Sequence, residues 1–242
     1  MTVFITSSPT RDLSEAYPIP LLDGRNGFVE RLGAVWPGGA RCLMIAAFPD
    51  AHAMNDEMTD YYAAAVRNSG LDHACFDLWD SRHQIAGEQL RDYDVVFLAG
   101  GHIPTEMAWF REIGLKVLLG GFAGIVVGTS AGSMNAAEVV YAWPEEPGES
   151  FKGEEELFYE GLGLCRVQIV PHYQKVKDNY LDGRHMFDDI TRSHSHGRRF
   201  YAIPDGSYVL VEGGRETLYG DAWLVSDGEI MRWCFEGLSR EV

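Results

Sequence analysis

Three short runs constrain this chain more than any other feature: "CLMIAAF" (42–48), "DVVFLAGG" (94–101) and "GIVVG" (124–128). Each is apolar without alternation, so neither of its faces is patterned for water. A strand of this kind sits inside a sheet that helices cover on both sides. Between the runs lie segments with helix signals. "NDEMTDYYAAAVRNSG" (55–70) offers Asn55 as an N-cap and Gly70 as a stop. "PTEMAWFREIGLKVLLGG" (104–121) opens on Pro104 and closes on Gly120 and Gly121. "VFIT" and "ACFDLW" supply further strands, and "NGFVERLGAVWP" a short helix. This rhythm predicts an α/β fold, with a single doubly wound, mostly parallel sheet and helices on both faces. From residue 198 onward the chain breaks into short pieces that read as extra antiparallel strands, with Asp227-Gly228 as a hairpin turn.

At 242 residues the chain exceeds the ~150-residue prior for one domain, but α/β domains reach this size. No internal repeat or low-complexity segment divides it. The polar stretch 143–156 reads as a loop, so one domain spanning 1–242 is expected. The 20 basic and 36 acidic side chains leave a net charge of −16. Such a surface repels phosphate backbones, which argues against nucleic acid as a partner. Cys42, Cys75, Cys165 and Cys234 form no C-x-x-C pair and lie in or beside apolar stretches, as small hydrophobes in a reducing compartment do. The N-terminus lacks a basic region followed by a long apolar one, and no run of about 18 apolar residues occurs. A cytoplasmic protein without a membrane span is expected.

The candidate chemistry lies at "GTSAGSMN" (128–135), directly after an apolar strand. Ser130 has Gly128 two residues before it, Gly132 two after, and Ala131 beside it. A serine in a tight strand-to-helix turn needs such small neighbours, because strand and helix crowd it and its backbone is strained. The turn points to a nucleophile. The Ala131 N–H is placed to donate to an oxyanion, and the Gly100-Gly101 pair ending another strand offers a second donor. The bland alternative is a glycine-rich turn that only lets a helix pack on a strand.

A serine nucleophile needs a base. His172 ends the strand-like "VQIVP", at the edge where open α/β sheets keep their sites. His102, beside the glycine pair, is the second choice. The base in turn needs an acid to hold its tautomer. Asp205 lies in "AIPDGSYVLV", but Pro-Asp-Gly is also a favoured turn in its own right. Glu145, Glu146, Asp188 and Asp189 remain as alternatives. His194 and His196 lack an obvious third ligand, so no metal is expected and no cofactor is called for.

With these residues placed, the chain resembles the peptidase E and cyanophycinase family of serine peptidases, whose fold is related to class I glutamine amidotransferases. "VVFLAGG", "GTSAGSMN", and "VPHYQ" followed by "AIPDGSYVLVEGG" carry the resemblance, over residues 40 to 230. It implies Ser130 as nucleophile, His172 as base, Asp205 as acid, and the Gly101 and Ala131 N–H groups as oxyanion hole. The family often has glutamate as the third member, where this chain has aspartate. It often has asparagine after the glycines, where this chain has His102. Ordinary α/β-hydrolases run serine, acid, histidine, and no histidine follows Asp205. Amidotransferases of the related fold use cysteine at the elbow, and none of the four cysteines is there.

The expected function is therefore hydrolysis of peptide or isopeptide bonds in small peptide substrates through an acyl-enzyme. The family implies aspartyl substrates and dipeptidase action. Lys175, Lys177 and Arg184 could meet an acidic group, with Arg184 and His102 as candidate substrate-binding residues. An esterase or amidase, or a catalytically silent binding protein of the same fold, are the rival readings. Oligomeric state is left open by the sequence.

Overall fold

The computed structural model describes residues 1–83, 85 and 87–242. Its main sheet has eight strands. Five are the apolar runs of the first half: β1 (Thr2–Thr6), β2 (Ala40–Ile45), β3 (His73–Trp79), β4 (Val95–Leu98) and β5 (Ile125–Thr129). They lie in the order β1-β5-β4-β2-β3, and every neighbouring pair is parallel. Beyond β1 the sheet continues through Tyr208–Glu212, Arg215–Tyr219 and Ser239–Glu241, all antiparallel.

The unbroken apolar runs follow from burial on both faces. Successive side chains point to opposite sides of a strand. Cys42 and Met44 thus join Phe4, Val95 and Phe97 in one core, covered by α1 (Phe28–Val35) and α2 (His52–Asn68). Leu43 and Ile45 join Val3, Ile5, Val96 and Leu98 in the other. That second core is covered by α3 (Ile103–Glu112), α4 (Leu115–Leu119) and α5 (Ala131–Asn135). Burying one large apolar side chain contributes about 1.5–3 kcal/mol, so two full layers give this sheet its stability.

The same second core also packs against a four-stranded sheet built by the later chain. Its strands run Glu229–Cys234, Ala222–Ser226, Arg199–Ala202 and Ile169–Val170. Only the last pair is parallel. The hairpin at Asp227 and Gly228 has φ of 50° and 79°, the left-handed pair that a two-residue hairpin turn requires.

Four local expectations are corrected. Asn55 does not cap α2, which begins at His52; Asn55 lies inside it, buried, and its amide donates to the Phe48 carbonyl at 2.9 Å. The helix expected over 104–121 is two, because Gly114 turns left-handed at φ 65° and separates α3 from α4. The segment "AGSMNAAEVV" (131–140), helix-compatible in sequence, stays helical only to Asn135; the β-branched Val139 and Val140 instead begin a strand, Val139–Tyr141, paired with Phe158–Glu160. His172 does end a strand, but Ile169–Val170 belongs to the four-stranded sheet and not to the parallel one. No helix among the described residues is long and apolar enough to cross a membrane.

Candidate active site

Ser130 sits between β5 and α5 with φ 49° and ψ −111°, a conformation that L-residues avoid. Strain of this kind costs on the order of 1–3 kcal/mol and persists only where surrounding contacts impose it. Here they are on β1, the parallel neighbour. The Ser130 N–H donates to the Thr6 and Ser7 carbonyls at 3.1 and 3.2 Å. Ser133 Oγ donates to the Thr6 carbonyl at 2.8 Å and accepts the Thr6 N–H at 2.9 Å. Thr6 Oγ1 donates to the Gly128 carbonyl at 2.6 Å. The two glycines are required by space. A Cβ on Gly128 would lie 2.7 Å from Ser133 Oγ, and one on Gly132 would lie 2.4 Å from the Ala99 carbonyl oxygen.

The proposed oxyanion donors flank this turn. Ala131 opens α5, so its N–H has no partner within the helix. Gly100 runs beside the serine: a Cβ there would stand 3.4 Å from Ser130 Cβ. Gly101 presses against the preceding loop, where a Cβ would come within 2.6 Å of Ala47 and 2.7 Å of Phe48. Its N–H finds no backbone acceptor among the described residues. A buried brace ties the two donor segments together. The Asn135 amide on α5 donates to the Ile103 carbonyl at 3.0 Å and to Glu106 Oε2 at 2.8 Å, both on α3. Burial pushes the Glu106 carboxyl well above its ordinary pKa.

His172 adopts a left-handed backbone, φ 56° and ψ 30°. Its Nδ1 lies 2.6 Å from Asp205 Oδ1. The sequence alternatives Glu145 and Glu146 do not reach the ring; their backbone N–H groups donate instead to Glu149 Oε2 at 2.9 and 3.0 Å. Partial burial pushes the Asp205 carboxyl up. The hydrogen bond and charge of His172, with Ser7 and Lys175, outweigh it and hold the group well below the usual carboxylate range. Among the described residues, neither the Ser130 hydroxyl nor His172 Nε2 makes a hydrogen bond, and both remain free for a substrate.

The other candidates are placed less directly. His102 caps α3, with Nδ1 2.8 Å from Thr105 Oγ1 and Nε2 3.3 Å from Glu149 Oε1. Lys175 is committed to Asp205 and Asp12, at 3.0 and 3.2 Å, and Lys177 to Asp178. Arg184 donates to the Ser150 and Asp189 carbonyls and forms no ion pair among the described residues. Asp188 faces His185 and Arg192. His194 Nδ1 meets the Tyr141 hydroxyl at 2.8 Å. Among the described residues no three potential ligands gather as a metal site would require.

Sequence reasoning missed Ser7, Gln174 and Glu149. Ser7 Oγ donates to Asp205 Oδ1 at 2.7 Å and accepts the His172 N–H at 2.8 Å. Gln174 Nε2 donates to Asp205 Oδ2 at 2.6 Å. A usable signal existed for Ser7 alone: it follows the end of a strand, the edge on which such sheets collect their functional residues.

The family model described as Peptidase family S51 matches residues 42–219. Among curated proteins no match is found. A crystal structure from Listeria monocytogenes EGD-e, described as a "Putative Peptidase E Protein", superposes with a TM-score of 0.51 at 15% identity. The match covers 96% of this chain and 97% of that one, and it establishes the shared fold.

Two predictions follow from this geometry. Gly132→Val drives a branched side chain into the Ala99 and Leu98 carbonyls. A loss of at least about 1–3 kcal/mol is expected, as for overpacked cores. Urea unfolding measures it, and a wild-type midpoint would refute the tight turn. The second concerns acid stability. A carboxyl whose folded pKa is depressed contributes stability that is present above its unfolded value of about 3.9 and lost as pH falls through its folded one. Asp205→Asn removes that contribution, so the gap in melting temperature from wild type should be widest near neutrality and close below about pH 4. A gap that is constant with pH would disprove the linkage.

Proposed function

Because the chain belongs to peptidase family S51, a family of serine peptidases, we propose that it hydrolyses peptide or isopeptide bonds of small peptides through an acyl-enzyme on Ser130. One observation carries this reading: the strained serine at the elbow shares its anchoring residue, Ser7, with the His172–Asp205 pair.

The steps follow from what each group can do. Asp205 accepts the Nδ1 proton of His172, which leaves the Nε2 lone pair facing outward. Ser130 Oγ attacks the scissile carbonyl carbon, and its proton passes to Nε2. The carbonyl oxygen takes the negative charge and lies against the N–H groups of Gly101 and Ala131. The C–N bond then breaks as His172 gives its proton to the leaving amine. Water, deprotonated by the same nitrogen, releases the acid and restores the serine hydroxyl. Every proton is returned, and no metal or organic cofactor enters. Asp205, kept ionised across the neutral range, stabilises the imidazolium formed midway.

For the substrate, an aspartyl side chain is the reading that the family resemblance favours. Of the three basic residues named from sequence, Lys175 and Lys177 are neutralised by their own carboxylates. Arg184 forms no close ion pair among the described residues, and it braces the turn whose Glu149 holds His102. We assign Arg184 to the acidic group and His102 to substrate orientation.

The test is a fluorophosphonate probe with a panel of Asp-X and neutral dipeptides. Ser130→Ala should fold, lose labelling and lose turnover; a folded mutant that still turns over substrate refutes the nucleophile. Asp205→Asn should lower kcat by at least about 10²-fold, a fraction of the ~10⁴ loss known for such an orienting acid. Glu145→Gln and Glu146→Gln should stay within roughly threefold, as for groups outside the reacting shell.

A further inference from the structure

The geometry points to Ser7 as a positioning residue for this reaction, one that fixes the base against the nucleophile; the inference rests on the serine-peptidase reading above. Ser7 follows the last residue of β1 and is completely buried. Its hydroxyl and its carbonyl are both committed to the site.

A serine hydroxyl has one proton to give and lone pairs to accept with. Ser7 gives its proton to Asp205 Oδ1 at 2.7 Å. It accepts the main-chain N–H of His172 at 2.8 Å. His172 Nδ1 stands 3.4 Å from the same oxygen, a poor distance beside its 2.6 Å contact with Asp205. The proton assignment is therefore forced. If Ser7 gave its proton to Nδ1, the ring would need its hydrogen on Nε2 and could not take one from Ser130. Donation to Asp205 leaves Nδ1–H for the carboxylate and Nε2 free.

Each hydrogen bond also restrains a geometry that would otherwise drift. His172 is a non-glycine residue in the left-handed region, and the Ser7 hydroxyl satisfies the N–H which that turn exposes. Asp205 Oδ1 receives two donors, Ser7 and His172. Oδ2 receives Gln174 and Lys175. A carboxylate saturated on both oxygens cannot rotate away from the ring. The Ser7 carbonyl completes the link by accepting the Ser130 N–H at 3.2 Å.

The need for such a residue comes from the fold. Ser130 follows a strand of the eight-stranded sheet, whereas His172 follows a strand of the four-stranded one. No strand pairing joins the two sheets at this edge among the described residues. Ser7 spans the junction, with its backbone on the nucleophile and its side chain on the base and acid. Removing the hydroxyl should leave both sheets folded while letting His172 and its carboxylate shift against Ser130.

Labelling by a fluorophosphonate reads this without a known substrate, as a maximal rate and a half-saturating concentration. Ser7→Thr and Ser7→Val carry the same added methyl group and differ in the hydroxyl alone. The threonine variant should label at least about tenfold faster than the valine variant at saturation, a cautious fraction of what an orienting group supplies. Their half-saturating concentrations should agree within about threefold, as expected when only the reacting geometry is changed. The far-downfield Nδ1–H proton resonance of His172 should persist in wild type and Ser7→Thr and broaden away in Ser7→Val. Equal labelling by the folded pair would overturn the proposal. If the added methyl prevents folding, the smaller Ser7→Ala decides: a tenfold slower maximal rate at an unchanged half-saturating concentration supports the role, and a wild-type rate refutes it. Wild-type protein that fails to label, or labelling that survives Ser130→Ala, would instead remove the serine-peptidase reading itself.

Discussion

Thr6 and Ser130 meet because β1 and β5 pair in parallel with Thr6 opposite Thr129. That register carries the chemistry. One residue past the paired ends, the strained Ser130 places its N–H on two carbonyls of the neighbouring strand, and Ser133 closes the loop from the helix side. A slip of one residue would turn every side chain of β1 to the opposite face. Val3 and Ile5 would then leave the core they share with α3 and α5, and Phe4 would leave the other. The register is thus fixed by burial along the whole strand, and the serine's conformation is enforced by energy gained far from it.

The surroundings of the serine are polar in contact. Glu106 lies buried against Asn135, and desolvation raises its carboxyl pKa well above the ordinary value where α5 meets α3. An ionised carboxylate at that place would oppose the oxyanion that the proposed attack by Ser130 develops. Asp205 remains charged, and Lys175 offsets it at 3.0 Å.

The parallel core and the elbow were legible in the sequence because each rests on local rules. An apolar run without alternation needs cover on both faces, and Gly128 and Gly132 stand where a Cβ would strike backbone or Ser133. His172 and Asp205 were legible as residue types at strand ends, and the structure brings the two together. What stayed hidden depends on pairing between distant segments. Nothing in "VFITSS" says that Ser7 will face residues 165 and 198 positions away. The division of the later strands between two sheets is equally nonlocal, because "SYVLVEGG" and "AWLVS" have the same texture and enter different sheets. The break at Gly114 and the interior placement of Asn55 were missed for a different reason: propensity was read where tertiary contacts decided.

The aspartate at position 205 poses a problem of reach that the fold resolves. Aspartate is one methylene shorter than the glutamate that members of this family often carry. A shorter acid must start closer to the ring. Here the two backbones are delivered side by side. Val170 pairs in parallel with Ala202, and the pairing continues as the Ile203 N–H donates to the Val170 carbonyl at 2.9 Å. The Tyr173 N–H then donates to the Ile203 carbonyl at 3.2 Å. His172 lies two residues beyond its paired strand end and Asp205 three beyond its own, so both emerge at the same edge. The left-handed turn at His172 swings the ring toward the partner strand, and the Pro204-Asp205-Gly206 turn, with Gly206 at φ 89°, brings the carboxylate back to meet it. The 2.6 Å contact is thus a product of strand pairing, and a longer acid on the same backbone would have to fold back on itself to make it.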